Sequence, residues 1–218
     1  MEPTSNWDSA SGGSVFAGAA AVMQAIESQT LILYHTDLTD HWPEEAGRAL
    51  AAKLPYLKRL AAASGTEAAR ASLAGIALAL RALAALLARP VAVSEIVFAQ
   101  QEKPHLGTRG AADFSIAHSG TLVGCAAVRG AQVGFDVEQG TEEHLNNWVA
   151  REATVKAAGL GMRAVNEVRL APGGAECRGM RWYAQVLDAF PGATACVMTS
   201  IELARVEVRA LTLAELFS

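Results

Sequence analysis

Short apolar runs at β-strand length alternate along this chain with longer stretches of helical periodicity. Residues 31–35 and 96–98 are two of the short runs, and residues 114–117, 122–128 and 132–138 form a further group of three. Ser-Gly and Arg-Gly dipeptides separate the last three runs, as is typical of turns between strands. The pattern therefore predicts five strands in the first two thirds of the chain.

Three segments have the periodicity or the end signals of helices. Residues 43–62 begin with Pro43, whose fixed φ suits the first helical position. The second segment, residues 67–88, follows Thr66, a residue type that caps helix N-termini. The third segment is residues 142–158. Apolar side chains recur at spacings of three and four in the second segment, and this stripe comprises Leu73, Ile76, Leu80, Leu83 and Leu87.

The order of these elements predicts an α+β fold rather than regularly alternating βαβ units. Four more strand patterns are expected to form one final sheet, and they lie at 165–171, 181–187, 194–200 and 205–209. We expect two similar lobes related by a pseudo-twofold axis, each a small, mostly antiparallel sheet packed with helices. Residues 29–128 and 129–218 would form the lobes, and residues 1–28, rich in Ser, Gly and Ala, would be a flexible N-terminal extension.

Composition restricts the classes of function. The chain is 51% hydrophobic and 18% charged, and its net charge is −4. This net charge does not indicate the basic surface that nucleic acid binding requires. The apolar stretch 73–93 is interrupted by Arg81, Arg89 and Pro90, and it falls short of the ~20 apolar residues of a membrane span. We therefore expect neither a nucleic acid nor a membrane as partner.

Cysteine usage favours a reducing compartment. Three cysteines are scattered at positions too far apart for a C-x-x-C zinc site, and their odd number argues against a disulfide framework. No basic region precedes the apolar stretch 16–26, so a secretory signal is not expected. A cytoplasmic location fits these observations.

Two carboxylates lie two positions apart in the strand at 132–138. Side chains alternate along a strand, so Asp136 and Glu138 project from one face and the apolar residues between them from the other. Two like charges held side by side repel unless a cation lies between them, and Mg²⁺ takes oxygen ligands. The pattern on its own is also compatible with an exposed strand end.

Three further residues add charge and aromatic character at helical spacing. Trp148, Glu152 and Lys156 lie at i, i+4 and i+8 and therefore share one helix face. A surface ion pair on an amphipathic helix explains the same spacing. His118 precedes Ser119-Gly120 at a strand end, where a histidine and exposed N–H groups can hold a phosphate, although a single histidine is more often structural.

Read in order, these segments resemble the Sfp-type 4′-phosphopantetheinyl transferases. The resemblance is carried by Glu102-Lys103-Pro104, Phe114-Ser-Ile-Ala-His-Ser119, Gly134-Phe-Asp-Val-Glu138 and Trp148-Val-Ala-Arg-Glu152-Ala-Thr-Val-Lys156-Ala-Ala-Gly-Leu-Gly161. It covers about residues 30–165. It implies an enzyme that moves the 4′-phosphopantetheine group of coenzyme A onto a serine of an acyl or peptidyl carrier protein and releases 3′,5′-ADP.

The resemblance also implies roles for the residues of the catalytic centre. Asp136, Glu138 and Glu152 would hold Mg²⁺ against the pyrophosphate of coenzyme A. Glu152 would in addition act as base for the serine hydroxyl, and Lys156 would bind the phosphates.

For coenzyme A, the resemblance implies that His118 contacts the 3′-phosphate and that Ser119 lies in the same site. Lys103 and Pro104 would line the adenine side. The basic cluster expected to bind the 3′-phosphate is sparse in this chain, and Arg70 is the best candidate for it. Arg70 lies eleven residues before Arg81 and so on nearly the same helix face, which is equally compatible with a solvated surface.

The chain departs from the family pattern at four points. Ala117 replaces a serine, Arg151 replaces a lysine, Glu102 replaces a glycine, and only 15 residues separate Asp136 from Glu152, where the family has a longer helical insertion. These departures leave open a degenerate member that binds coenzyme A or a carrier protein without transfer. A third alternative, an unrelated metal-dependent phosphohydrolase, would explain the carboxylates but not the segments around His118 and Lys103.

Overall fold

A computed structural model of the protein describes residues 29–54, 66–98, 103–108 and 110–218. The α-helices of this part are α1 (Glu44–Ala52), α2 (Glu67–Leu87), α3 (Glu143–Ala157) and α4 (Leu213–Leu216). The strands are β1 (Thr30–Asp37), β2 (Ile96–Val97), β3 (His105–Leu106), β4 (Asp113–Ser119), β5 (Leu122–Val128), β6 (Val133–Gln139), β7 (Arg169–Ala171), β8 (Gly174–Cys177), β9 (Met180–Val186), β10 (Ala193–Thr199) and β11 (Arg205–Ala210). Short 3₁₀ helices lie at Val93–Glu95 and Met162–Glu167.

Two main sheets organise these strands. One has four strands in the order β11-β1-β5-β4, and the other has five strands in the order β6-β10-β9-β8-β7. Neighbouring strands are antiparallel except for the parallel pair β1 and β11, and β2 and β3 form a small separate pair. The prediction of an α+β fold with mostly antiparallel sheets is confirmed.

The C-terminal part of the chain differs from the prediction. The strand expected at 205–209 does not join the final sheet, because β11 pairs with β1 and so returns to the first sheet. Residues 162–167 form a 3₁₀ helix in place of the first half of the strand expected at 165–171. The sequence did not predict β8, a short strand between β9 and β7 that begins with a glycine, a residue depleted in strands. Helix α1 ends at Ala52 with Lys53 as its C-cap residue, just before the interruption expected near Pro55. Predictions for 1–28, for 55–62 and for Glu102 lie outside the described residues.

The first sheet is covered by helix α2. Thr66 caps this helix by accepting a hydrogen bond from the Ala69 N–H at 3.3 Å, as its residue type predicts. The small and branched side chains of α2 are buried against β1, β4 and β5, in a core that also contains Leu213 and Leu216 of α4. Within the described ranges, α2 is the one helix whose length and composition would allow it to cross a membrane, and 56% of its most apolar window is buried in the fold.

The other face of the first sheet and one face of the second enclose a second core. Val133, Phe135 and Val137 of β6 point into this core, as strand alternation predicts. Residues of β6 at even positions point to the opposite side of the second sheet. Helix α3 covers that side and buries Val149 and Ala153 against it.

The edge strand β6 lies alongside β4, although the two belong to different sheets. Side chains of β4 accept hydrogen bonds from backbone N–H groups of β6 at a constant offset of 20 residues; Val133 donates to Asp113 at 2.8 Å, Phe135 to Ser115 at 3.0 Å and Gln139 to Ser119 at 3.1 Å. We refer to this contact as the β4–β6 seam. It satisfies β6 N–H groups that an open sheet edge would leave unpaired.

One position of the seam lacks such a bond. Residue 117 continues the row of Asp113 and Ser115, but it is an alanine and has no acceptor to offer to β6. Among the hydrogen bonds of the described residues, none joins the Val137 N–H to a side chain of β4. Ala117 therefore lies at the contact between the two sheets, and it is buried there.

Candidate metal centre

Helix α3 lies directly on β6 because residue 134 is a glycine. A Cβ built on Gly134 would lie 1.8 Å from the Ala153 carbonyl oxygen and 2.4 Å from the Ala157 nitrogen, both backbone atoms of α3. Any side chain at this position would push the helix away. The glycine thus brings the helix face with Glu152 and Lys156 next to the strand face with the paired carboxylates.

Three carboxylates and one ammonium group meet at this contact. Asp136, Glu138 and Glu152 each offer an oxygen, and these oxygens lie within 4.8 Å of one another. Lys156 Nζ lies 2.5 Å from Asp136 Oδ1 and 3.7 Å from Glu152 Oε2. The structure therefore brings together the four residues that the sequence predicts for a metal and phosphate site. One lysine does not balance three carboxylates.

Asp136 is the most deeply buried member of this cluster. Its side chain is 5% exposed, and its Oδ2 has no hydrogen-bond partner among the residues that the structure describes. Burial raises the pKa of Asp136 to about 7; Lys156 opposes this shift, while Glu152 and Glu138 add to it by repulsion. A buried, unpartnered oxygen beside two further carboxylates is an environment that a cation with oxygen ligands would stabilise. The residues present therefore fit a metal ion.

Ser119 connects this cluster to the first sheet. Its hydroxyl donates to Glu138 Oε2 at 2.8 Å and accepts the Gln139 N–H at 3.1 Å. The sequence prediction assigns Ser119 to coenzyme A binding, and in the structure its hydrogen-bonding groups are engaged with β6.

His118 lies one residue before Ser119 and points to the other face of β4. Its side chain is exposed at the end of the strand, and Gly120 follows with φ +53° in the turn to β5. The prediction that Gly120 serves a tight turn is confirmed. His118 is accessible to a ligand, but on the face of β4 opposite to the one that contacts β6 and the cluster.

Lys103 is engaged at the opposite end of the seam. Its ammonium group donates to Asp113 Oδ2 at 2.6 Å and to the Val133 carbonyl at 2.8 Å, and burial lowers the pKa of Lys103. Pro104 follows as a half-buried residue. Lys103 lines a cavity of about 480 Å³ together with Asp113 and Ala157, near the C-terminal end of α3.

Arg70 of α2 contacts residues at and just before the start of α1. Its guanidinium pairs with Glu44 at 2.9 Å and lies 5.7 Å from the centre of the Trp42 ring. This ion pair and cation–π contact satisfy the charge locally. Arg70 is thus placed among residues other than the four of the cluster.

The N-terminal half of α3 forms one wall of a shallow groove beside Glu138. Trp148 is 40% exposed and lines this groove of about 480 Å³ with Leu145 and Arg151. The Arg151 guanidinium donates to the Val168 carbonyl, which ties α3 to the loop before β7. Arg151 thus has a structural partner in this chain.

Sequence reasoning missed two features of the site. Gly134 appears in a quoted motif, but the motif does not reveal that a helix backbone lies against it; a glycine among β-branched and aromatic strand residues was the available signal. The bond between Ser119 and Glu138 joins residues 19 positions apart, and only the register of β4 and β6 brings them together.

Comparisons of the chain with family models and with curated proteins find no match.

Proposed function

We propose that the protein transfers the 4′-phosphopantetheine group from coenzyme A to a serine of an acyl or peptidyl carrier protein and depends on Mg²⁺. The observation that carries the proposal is the meeting of Asp136, Glu138, Glu152 and Lys156 at one point, with an unpartnered buried oxygen on Asp136. The sequence resemblance supplies the substrate class. Two similar lobes with coenzyme A between them, a cytoplasmic location, and no nucleic acid or membrane partner belong to the same proposal.

The three carboxylates would hold the metal ion. Their oxygens already lie within 4.8 Å of one another, so small side-chain movements suffice to bring them to a common ligand. When bound, Mg²⁺ neutralises charge on the pyrophosphate of coenzyme A and makes 3′,5′-ADP a better leaving group. Positioning and electrostatic stabilisation dominate phosphoryl transfer chemistry in general.

The chain itself would supply the base and a phosphate-binding cation. In the reaction, the serine Oγ of the carrier forms a bond to the phosphorus next to pantetheine, and the bond from that phosphorus to the oxygen of the departing 3′,5′-ADP breaks. Glu152, with a side chain 15% exposed, would accept the serine proton. Lys156, whose side chain is 26% exposed, would leave Asp136 for the phosphate oxygens.

The other proposed contacts to coenzyme A lie outside the cluster of Asp136, Glu138, Glu152 and Lys156. His118 is exposed and free to approach the 3′-phosphate. Lys103 and Pro104 would face the adenine side, and Ser119 would lie nearby. Lys103 and Arg70 have carboxylate partners, so a phosphate would have to replace Asp113 at Lys103 and Glu44 at Arg70.

The decisive experiment is intact-mass measurement of a panel of apo-carrier proteins after incubation with this protein, coenzyme A and Mg²⁺. A gain of one phosphopantetheine group that disappears when the metal is chelated supports the proposal. Glu152→Gln is expected to reduce transfer by roughly a hundredfold or more, since general base catalysis contributes about 10²–10⁴-fold. Glu143→Gln, an exposed change on the same helix, is the matched control and should retain wild-type transfer.

A degenerate member that binds coenzyme A or a carrier protein without transfer is the second candidate, and the departures at Ala117, Arg151 and Glu102 are what favour it. It predicts coenzyme A binding by calorimetry without mass gain on any carrier. Hydrolysis of simple phosphate esters in the absence of a carrier would instead indicate a phosphohydrolase. Full transfer by Glu152→Gln would remove the assigned base from the mechanism.

A further inference from the structure

Ser119 occupies a position in the β4–β6 seam that differs chemically from the other two. Asp113 and Ser115 each accept one N–H of β6, at Val133 and Phe135. Ser119 accepts an N–H in the same way, but its hydroxyl also donates to Glu138 Oε2 at 2.8 Å. A serine has one O–H donor, so the direction of this donor is set by the carboxylate.

We infer that Ser119 is a positioning residue that fixes the carboxylate of Glu138 in its ligand orientation through the register of the seam. The backbone N–H of Gln139 donates to the Ser119 hydroxyl oxygen, and the Ser119 O–H donates to Oε2 of Glu138. Two consecutive residues of β6 are thus bound by one side chain of the other sheet. Among the hydrogen bonds and ion pairs of the described residues, none reaches the second oxygen of Glu138, which leaves this oxygen for a cation.

Ser119 would affect metal binding through the orientation of the Glu138 carboxylate. Glu138 is half buried at the end of β6, and no ion pair of the described residues involves it. A glutamate has three rotatable side-chain bonds, so without Ser119 its carboxylate would sample several rotamers and lose conformational entropy on binding an ion. Hydrogen bonds that orient a ligating carboxylate typically change metal affinity by about 10- to 100-fold.

This inference rests on the metal site of the proposed function, and its test does not depend on transfer. Mn²⁺, which favours carboxylate oxygens, serves as the probe, and the dissociation constant is measured by electron paramagnetic resonance of the free ion. Ser119→Ala is expected to weaken Mn²⁺ binding by about tenfold. Ser119→Thr retains the hydroxyl and should bind within about threefold of the wild type.

Ser115→Ala is the matched control. It removes the same kind of bond to a β6 N–H, at Phe135, but Ser115 has no hydrogen bond to a metal ligand. Both alanine variants should lower the midpoint of thermal unfolding, because each leaves an N–H of the seam without its acceptor. Only Ser119→Ala should weaken Mn²⁺ binding, and Ser115→Ala should remain within about twofold of the wild type, as expected for a residue without contact to a ligand.

Three results would overturn the positioning role. They are an unchanged Mn²⁺ affinity in Ser119→Ala, an equal loss in Ser115→Ala, and no Mn²⁺ binding by the wild type. The expected affinity pattern in a protein that transfers nothing to any carrier would support the positioning role and refute the proposed function. Transfer with an unchanged Mn²⁺ affinity in Ser119→Ala would do the reverse.

Discussion

Replacing Gly134 by alanine tests whether the contact between α3 and β6 builds the site. The added Cβ would lie 1.8 Å from the Ala153 carbonyl oxygen, where ordinary contact begins at 3.4 Å. Helix α3 would have to move by about 1.6 Å, the difference between these distances, or β6 would have to bend. Both neighbours of the new methyl group are backbone atoms of a helix packed on the sheet, so rotation of a side chain cannot relieve the clash.

The rigidity of these backbone atoms determines how much stability Gly134→Ala should lose. Overpacking a well-packed core costs about 1–3 kcal/mol and occasionally more. For Gly134→Ala we expect the free energy of unfolding to fall by about 3 kcal/mol, the upper end of this range. The new methyl group meets rigid helix backbone and not a side chain that can rotate away. The displacement also separates Glu152 and Lys156 on the helix from Asp136 and Glu138 on the strand. Mn²⁺ affinity should fall by about tenfold or more in the folded fraction.

Urea unfolding gives the stability, and Mn²⁺ titration under native conditions gives the affinity. Gly161→Ala is the control, since nothing lies within 4 Å of its added Cβ and its φ of −75° suits alanine. It should be neutral or stabilise the protein by up to ~1 kcal/mol through the unfolded state. A Gly134→Ala protein with wild-type unfolding and wild-type Mn²⁺ affinity would refute the close approach of α3 to β6.

Two other predictions concern Asp136 and Ala117. The pKa of Asp136 is raised by burial to about 7, so the metal-free folded state binds the proton more tightly than the unfolded state and loses stability as pH rises from about 4 to 7. Relative to Asp136→Asn, the free energy of unfolding of the wild type, measured with urea, should fall by up to ~1.4 kcal/mol per pH unit in this window. Equal pH dependence of the two proteins would contradict the shifted pKa. Ala117→Ser offers an acceptor to the Val137 N–H and should raise the free energy of unfolding by about 1 kcal/mol. Ala126→Ser, which buries a hydroxyl at a 0% exposed position of the same core, should destabilise, and equal effects of the two serines would argue against the missing bond.

Local patterns in the sequence predicted most of the secondary structure because each depends on a few neighbouring residues. The stripe of α2, its cap at Thr66 and the alternation of β6 are of this kind, and the structure agrees with them. The return of β11 to the first sheet is different. Its pairing with β1 joins residues about 175 positions apart, such as Thr30 and Arg205, and no local pattern encodes that choice.

For the candidate site as well, the sequence predicted the local pairs of residues but not the contact between the pairs. Alternation along β6 and the i, i+4 spacing on α3 placed Asp136 with Glu138 and Glu152 with Lys156, and each pair lies on one face as predicted. Whether the two pairs face each other depends on Gly134 and on the packing of α3. For Lys103 and Arg70, the sequence could not show that Asp113 and Glu44 already neutralise their charges.

The seam links the stability of the fold to the chemistry of the site. An edge strand with unpaired N–H groups would be a liability, and β4 satisfies three of them with side chains in place of a sheet ladder. Side-chain acceptors leave β6 in the second sheet, where its even residues can face α3, whereas backbone pairing with β4 would have merged the two sheets. The same arrangement lets Ser119 bind the strand and a carboxylate at once. A change in register of β4 against β6 by two residues would keep every apolar side chain on its own face but would move Ser119 away from Glu138. The seam register is therefore a property that metal affinity can report and that core packing alone cannot enforce.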